Sequence, residues 1–283
     1  MNHRGISNLV LASWSCGQTL PGVSKGASLL ANRWMDRDKN CVVTDFCVGG
    51  DNTYSTRRYL TDLYQTVSQS LEQYPYTCVL GGDHSISEAS VSAFFDKYRE
   101  SGHLLWIDAH PDIQLPETSL SGNSHGMPMS AILGLMQSNV PKTYIPHPSQ
   151  ITYVGIRDID HDERERLQQL SCYYGPDLLD FGWDWPTWVI SELRRKLAGN
   201  NTAKMYVSFD VDVLDPSEIT NTGTPVSDGL SGHDVADFLQ GLSLVHGLDI
   251  VGMDIVEFNP EAGVVDRVNM EANHIVDIAR KVL

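Results

Sequence analysis

Short apolar runs alternate along the chain with longer stretches in which apolar residues recur at three- and four-residue spacing. Runs near 8–12, 41–46, 77–80, 104–107, 151–156, 172–174, 204–209 and 250–256 read as buried strands. The stretches near 24–35, 55–73, 85–99, 129–136, 162–170, 187–197, 232–245 and 267–281 read as helices, with Ser24 capping the first. Strand and helix thus alternate about eight times, the pattern of βα units around a mostly parallel sheet. No internal repeat, low-complexity run or linker-like shift in composition interrupts it, so residues 1–283 are expected to form one domain. Gly49 to Asn52 and the stretch from Pro111 to His125 are loops. The second is long for an ordinary connection and points to function.

Ligands in such sheets bind beyond the carboxyl ends of the strands. His84, Asp108, His110, Asp112, Asp210, Asp212 and Glu257 all stand just past a predicted strand, which gathers distant segments at one rim. Asp108, His110 and Asp112 occupy alternate positions, so a chain that leaves the sheet extended aims all three the same way. Pro111 favours that by keeping His110 out of the helical region. Asp210 and Asp212 repeat the spacing, and His84 adds a nitrogen donor. Asp215 precedes a proline and reads as a turn residue.

Alone, an Asp-x-Asp is usually a solvated turn. Three such segments at strand ends supply two imidazoles and four carboxylates, more than one ion needs. Four negative charges balance two divalent cations, and cysteine-free, oxygen-rich ligation suits Mn²⁺ better than Zn²⁺. Two cations sharing a bridging hydroxide make a strong nucleophile at neutral pH.

Composition narrows the partners. Hydrophobic residues make up 41% and charged residues 20%, an ordinary balance for a soluble chain with a sizeable core. The formal charge of −16 argues against nucleic acid or an anionic membrane surface. Solubility explains most of that acidity, and carboxylates gathered around a cation explain part. Five cysteines without a CxxC pair read as reduced core thiols of a cytoplasmic protein. No signal peptide or membrane span is apparent, and the sequon at Asn200 carries no weight without a secretory route.

At the candidate ligands the chain resembles the arginase family of ureohydrolases. Gly81-Gly82-Asp83-His84-Ser85, Asp108-Ala109-His110-Pro111-Asp112 and the stretch from Ser208 to Pro216 match that family's three metal motifs, intact and in order. The likeness runs on through Ser121 to Gly126, Gly155 to Asp160, Thr222 to Val226 and Asp254 to Pro260, and reaches back to Gly17-Gln18 and Gly22-Val23. It implies a three-layer α/β/α fold and two Mn²⁺ per subunit. One ion would take His84, Asp108, Asp112 and Asp210, and the other Asp108, His110, Asp210 and Asp212.

The resemblance also implies hydrolysis of L-arginine to L-ornithine and urea by the bridging hydroxide. Asp112 and His125 would handle protons, and Glu257 would pair with the guanidinium with Thr224 nearby. Ser121 and Asn123 would meet the α-carboxylate, and Asp160 and Glu163 the α-amino group. A small guanidino or formimino amino acid is the expected partner, and a homo-oligomer (trimer or hexamer) the expected assembly. Gln114, where arginases typically carry Asn, is a departure that bears on substrate identity, as are the residues around Asp228-Gly229. The neighbouring activities are formimidoylglutamase, agmatinase and other guanidino-acid hydrolases. A catalytically silent regulatory member is the reading from a different class.

Simpler readings stand beside these roles. Ser121 and Asn123 could only build a turn, Asp160 could cap the helix after it, and Glu257 could pair with Arg157 or Lys204. His103, His147, His161, His233, His246 and His274 have no ligand-like company and read as structural or surface residues.

Overall fold

The computed structural model describes residues 7–46, 55–182, 184–198 and 202–283. The loop expected at Gly49 to Asn52, Cys47 and most of the Asn200 sequon lie outside them. Eight strands are described: β1 (Ser7–Ala12), β2 (Val42–Asp45), β3 (Tyr76–Gly81), β4 (Gly102–Ile107), β5 (Ile151–Ile156), β6 (Ser171–Tyr174), β7 (Ala203–Asp210) and β8 (Leu248–Val256). They form one sheet in the order β2-β1-β3-β8-β7-β4-β5-β6, and every adjacent pair is parallel.

Each central strand is buried on both faces, and its alternate residues enter separate apolar layers. Leu9 and Leu11 of β1 and Leu105 and Ile107 of β4 join one layer, while Val10, Ala12, Leu104 and Trp106 join the other. The first layer packs against helices α1 (Gly26–Arg37), α6 (Gly175–Phe181), α7 (Trp185–Lys196), α8 (Gly232–Ser243) and α9 (Val268–Ala279). The second meets α2 (Thr56–Gln73), α3 (Ser87–Tyr98), α4 (Pro128–Ile132) and α5 (Glu163–Leu167). The result is the expected three-layer α/β/α architecture. In β8 the alternation shifts around Gly252, where the pairing with β7 carries an irregularity.

Ser55 accepts a hydrogen bond from the Arg58 amide and caps α2. Ser24 does not cap α1: it lies in a 3-10 turn over Val23–Lys25, ahead of a helix that starts at Gly26 without a side-chain cap. Helices α4 and α5 are each shorter than their apolar spacing suggests. The turn Gly175–Phe181 is helical although the spacing gave no sign of it.

The core-thiol expectation needs correction too. Cys78 is buried, but Cys16 is exposed and Cys41 and Cys172 are half-buried; the described cysteines are free thiols. No helix among the described residues is long and apolar enough to cross a membrane.

Candidate metal centre and substrate cavity

Strands β3, β8, β7 and β4 are neighbours at the middle of the sheet. Their carboxyl ends therefore deliver His84, Glu257, Asp210 and Asp108 to one place. Gly82 permits the turn after β3, because a Cβ there would sit 1.6 Å from the Trp14 carbonyl oxygen. Asp83 then accepts from the Ser85 amide, and the Gly17 amide donates to it at 2.8 Å. This pins the segment that carries His84.

The chain after β4 is not the extended continuation the alternation implied. It bends from Asp108 onward, and Asp112 has φ +50°, in the left-handed region. Asp108, His110 and Asp112 converge by turning back, not by pleating. Glu257 is also left-handed, at φ +64°. Two carboxylates at one site thus hold a backbone conformation that non-glycine residues rarely adopt, a form of strain that gathers at functional sites.

Every predicted site residue except Asp108 lines one cavity of about 130 Å³; Asp108 is fully buried beneath its floor. At that floor His84 Nδ1 stands 3.1 Å from Asp108 Oδ2, 3.0 Å from Asp112 Oδ2 and 3.1 Å from Asp210 Oδ2. His110 Nδ1 lies 3.1 Å from Asp212 Oδ2. Two donor groups result, His84–Asp108–Asp210 and Asp108–His110–Asp212, each with its ligand atoms within 4.8 Å of one another and with Asp108 in common.

The ring nitrogens decide whether these donors suit a cation. Ser208 Oγ donates to Asp254 Oδ1 at 2.6 Å and faces His84 Nε2 at 2.9 Å. With its hydroxyl proton committed to Asp254, Ser208 accepts from Nε2–H. The three carboxylates around Nδ1 outweigh burial and hold the ring's pKa well above its usual value, so Nδ1 either carries a proton or turns a lone pair on a cation among those oxygens. Nδ1 is buried and has no hydrogen-bond partner of good geometry. A lone pair facing three anionic oxygens at 3 Å is repulsive, so a positive charge, a proton or a cation, belongs among them. A relay from carboxylate through hydroxyl to imidazole is also the usual way a protein fixes the tautomer of a metal ligand. The residues fit a metal.

The carboxylates show the same tension. Burial pushes Asp112 up to about 6, with the Asp108 charge adding to it. Asp210 is driven well above the usual range by burial and by Asp212 and Asp108. Burial also opposes the charge on Asp108, but hydrogen bonds from protonated His110 and His84 outweigh it and hold this carboxyl below its ordinary value, a part that a bound cation would take over. Trp106 Nε1 donates to Asp108 at 2.9 Å and its ring stacks on His84 with centroids 4.2 Å apart.

Glu257 closes the wall. One oxygen accepts from the His84 amide at 2.8 Å and meets His125 Nδ1 at 3.1 Å; the other accepts from Gln18 at 2.7 Å. It does not pair with Arg157 or Lys204. Arg157 donates to the carbonyls of Asp212, Val213, Val226 and Ser227, and Lys204 pairs with Asp249. Burial lowers the affinity of His125 for its proton, but Glu257 more than compensates and raises it to about 9.

The rim is built differently. Ser121 is exposed and its hydroxyl accepts from the Asn123 amide at 3.2 Å, the local turn that composition suggested. Asp160 is exposed, accepts from Gln114, and makes no side-chain cap for α5. Glu163 is buried with both oxygens on backbone amides, of Ile113 at 3.1 Å and Asp160 at 3.0 Å. Burial lifts its carboxyl to about 7. Thr224 donates to Asp212 at 2.9 Å. Asp215 takes the amides of Ser217 and Gly229, as a turn residue should.

Four participants had no role from the sequence: Trp106, and Gln18, Asp254 and Asp158 within the stretches of resemblance, the last with its carboxylate 3.6 Å from His110 Nε2. Each acts across the fold or behind a ligand, where spacing carries no signal.

A buried two-group carboxylate and imidazole centre at the head of a parallel sheet has the donor set of a metal site. The chain belongs to the arginase family, whose profile matches residues 9–283. It is similar to the arginase of Saccharomyces cerevisiae, 35% identical over 222 residues covering 72% of this chain and 63% of that protein. The matched segments span roughly half to under two thirds of several curated arginases. Among solved structures it resembles the arginase of Bacillus subtilis (TM-score 0.86, 28% identity, 98% of each chain covered). It also resembles the Entamoeba histolytica arginase in complex with L-ornithine (TM-score 0.82, 26% identity, 99% of each chain covered).

Proposed function

We propose that residues 1–283 act as one catalytic domain that hydrolyses the guanidinium group of L-arginine to L-ornithine and urea. The observation that carries this is His84 Nδ1 enclosed by three buried carboxylates, with Glu257 anionic in the adjoining wall. Two Mn²⁺ per subunit would be held by His84, Asp108, Asp112 and Asp210 and by Asp108, His110, Asp210 and Asp212. When bound, such ions lower the pKa of a water and polarise the substrate.

The chain's own residues do the rest. Glu257 presents a carboxylate held ionised by His125 and by the His84 amide, and it orients a planar guanidinium by charge and hydrogen bonding. Thr224 lies beside it on Asp212. His125, protonated at neutral pH by virtue of Glu257, can give a proton to the leaving amine, which departs poorly without one. Asp112 takes up the proton released when water attacks. At the rim Ser121 and Asn123 read an α-carboxylate, and Asp160 an α-amino group. Glu163 braces Asp160 through its backbone. The ornithine complex of the Entamoeba arginase supports an amino-acid substrate of this kind.

The protein is proposed to work in the cytoplasm as a homo-oligomer, trimeric or hexameric. The test is urea release with Mn²⁺ from L-arginine, agmatine and N-formimino-L-glutamate side by side. Urea from arginine is expected; putrescine with urea, or glutamate with formamide, would reassign the substrate. Uptake of no metal by protein purified with added Mn²⁺ would favour the silent regulatory member.

A further inference from the structure

Beside the candidate centre lies a second cavity, of about 370 Å³ against about 130 Å³ for the first. It opens between the segment after α4 and the end of α5. Leu133, Tyr144, Pro146, Pro148 and Leu170 wall it, with Ile113 at its base. Leu135 and Ile145, 49% and 58% exposed, stand at the lip. Two prolines in the wall fix φ locally, so the shape is largely preformed. Its volume falls in the range of small-molecule sites, which pair apolar walls with few polar groups.

Those polar groups are Arg166, Gln169 and His147. His147 Nδ1 is already engaged, accepting from the Ser149 amide. Arg166 spends one donor on the Ile113 carbonyl at 3.2 Å, and among the described residues it forms no ion pair. A guanidinium has five donors in a fork that matches a carboxylate. In a chain of net charge −16, an arginine that opens on an apolar cavity without a carboxylate partner is a receptor for an anion.

We propose that this cavity binds an amphipathic organic anion, a ring-sized apolar body carrying a single carboxylate, with the carboxylate on Arg166. A neutral apolar ligand would leave the guanidinium desolvated and unpaired, and a small hydrophilic anion would leave the apolar walls wet. Ile113 follows Asp112, so the cavity shares a wall with the candidate metal centre.

Calorimetric titration of the full chain with 4-phenylbutyrate and its neutral counterpart 4-phenylbutan-1-ol tests this. The acid is expected to bind at least tenfold more tightly than the alcohol. Arg166→Gln should bring the acid down to the level of the alcohol and leave the alcohol unchanged. Leu135→Asp, at the half-exposed lip, should weaken the acid at least fivefold with an unchanged melting temperature. Equal binding of acid and alcohol, or an acid preference that survives Arg166→Gln, would overturn the proposal. So would a wild-type chain that takes up neither probe and whose mass in sedimentation falls on Leu135→Asp, because the cavity would then be covered by a second copy. These readouts need no turnover, so they stand apart from the assignment of the reaction.

Discussion

The floor and the rim of the substrate cavity are held in different ways. The floor is made at four adjacent strand ends, and its carboxylates are buried and fixed by backbone amides: Asp108 by His110, Asp210 by Asp212, Asp212 by Ala109. The rim is made by the segments 114–126 and 157–163, where Ser121 and Asp160 are exposed and Ser121 bonds mainly to its own turn. Burial makes each floor charge strongly dependent on the others, because the medium between them screens little. At the rim Ser121 and Asp160 are screened by water, and only Glu163 behind them is buried. On the proposed function, chemistry would therefore belong to the floor as a unit and choice of substrate to the rim.

The sharpest test of that difference is Asp210→Asn. It removes a carboxylate common to both proposed ligand sets while keeping an oxygen for the Asp212 amide. We expect urea release to fall by at least about 10³-fold, in the range set by losing a metal-centred group. Metal binding would report the same loss. At 100 times its Kd, Mn²⁺ stabilises a folded protein by about 2.7 kcal/mol, or roughly 5 °C for a chain of this size. The wild type should show that shift in thermal melting and Asp210→Asn should not. Without metal the variant should melt no lower than the wild type, since one source of carboxylate repulsion has gone. A lower metal-free melt would mean that Asp210 supports the fold and not a cation.

Glu257→Gln probes the wall between the two regions. The amide can keep a hydrogen bond to its neighbours but removes the charge that holds His125 protonated and would meet the guanidinium. A loss of about 10² to 10³ in kcat/KM is expected, the usual size for removing a buried charged partner of a reacting group. A change confined to KM would move Glu257 from the floor's unit to the rim's.

At the rim, Ser121→Ala and Asn123→Ala should each raise KM for arginine by about tenfold, one hydrogen bond to a charged group. Their stability should stay within about 0.5 kcal/mol of wild type. Agmatine, which has no carboxylate, should be indifferent to either change. If both substrates weaken alike, the loop positions the cavity and does not read the carboxylate.

What the sequence made legible follows the same division. The strands were readable because two-sided burial writes continuous apolar runs, and the ligands because each leaves its strand at a short, fixed spacing. The turn at Asp112 was not, since a left-handed backbone at a non-glycine residue leaves no compositional mark. Gln18 reaches Glu257 across 239 positions, and Asp254 acts on His84 only through Ser208; contacts of that kind belong to the sheet order. Ser24 misled because a serine before an apolar period looks like a cap whether or not a 3-10 turn intervenes. Helices α4 and α5 stop short of their apolar spacing, and apolar residues beyond their ends, Leu133, Leu135 and Leu170, line the second cavity instead.

His103 separates burial from partnership. It lies at the amino end of β4, half-buried, without an ion pair among the described residues. Burial, with the Lys196 charge behind it, lowers its pKa to about 4, the reverse of what the carboxylates do to His125. Between about pH 4 and 6.5 the unfolded chain binds this proton and the folded chain does not, so stability rises with pH across that window and is lost as pH falls through it. Because the ring is partly solvated, the contribution should be on the order of 1 kcal/mol and not the full value of the shift. His103→Gln should remove that contribution, read as the change in stability between pH 4.5 and 7 in the variant minus that in the wild type by chemical denaturation, while leaving urea release at pH 7 unchanged. Wild-type and variant profiles that run parallel between pH 4.5 and 7 would overturn the assignment, because the raised carboxyls Asp112, Asp210 and Glu163 bind protons more tightly in the fold and contribute a slope of the opposite sign.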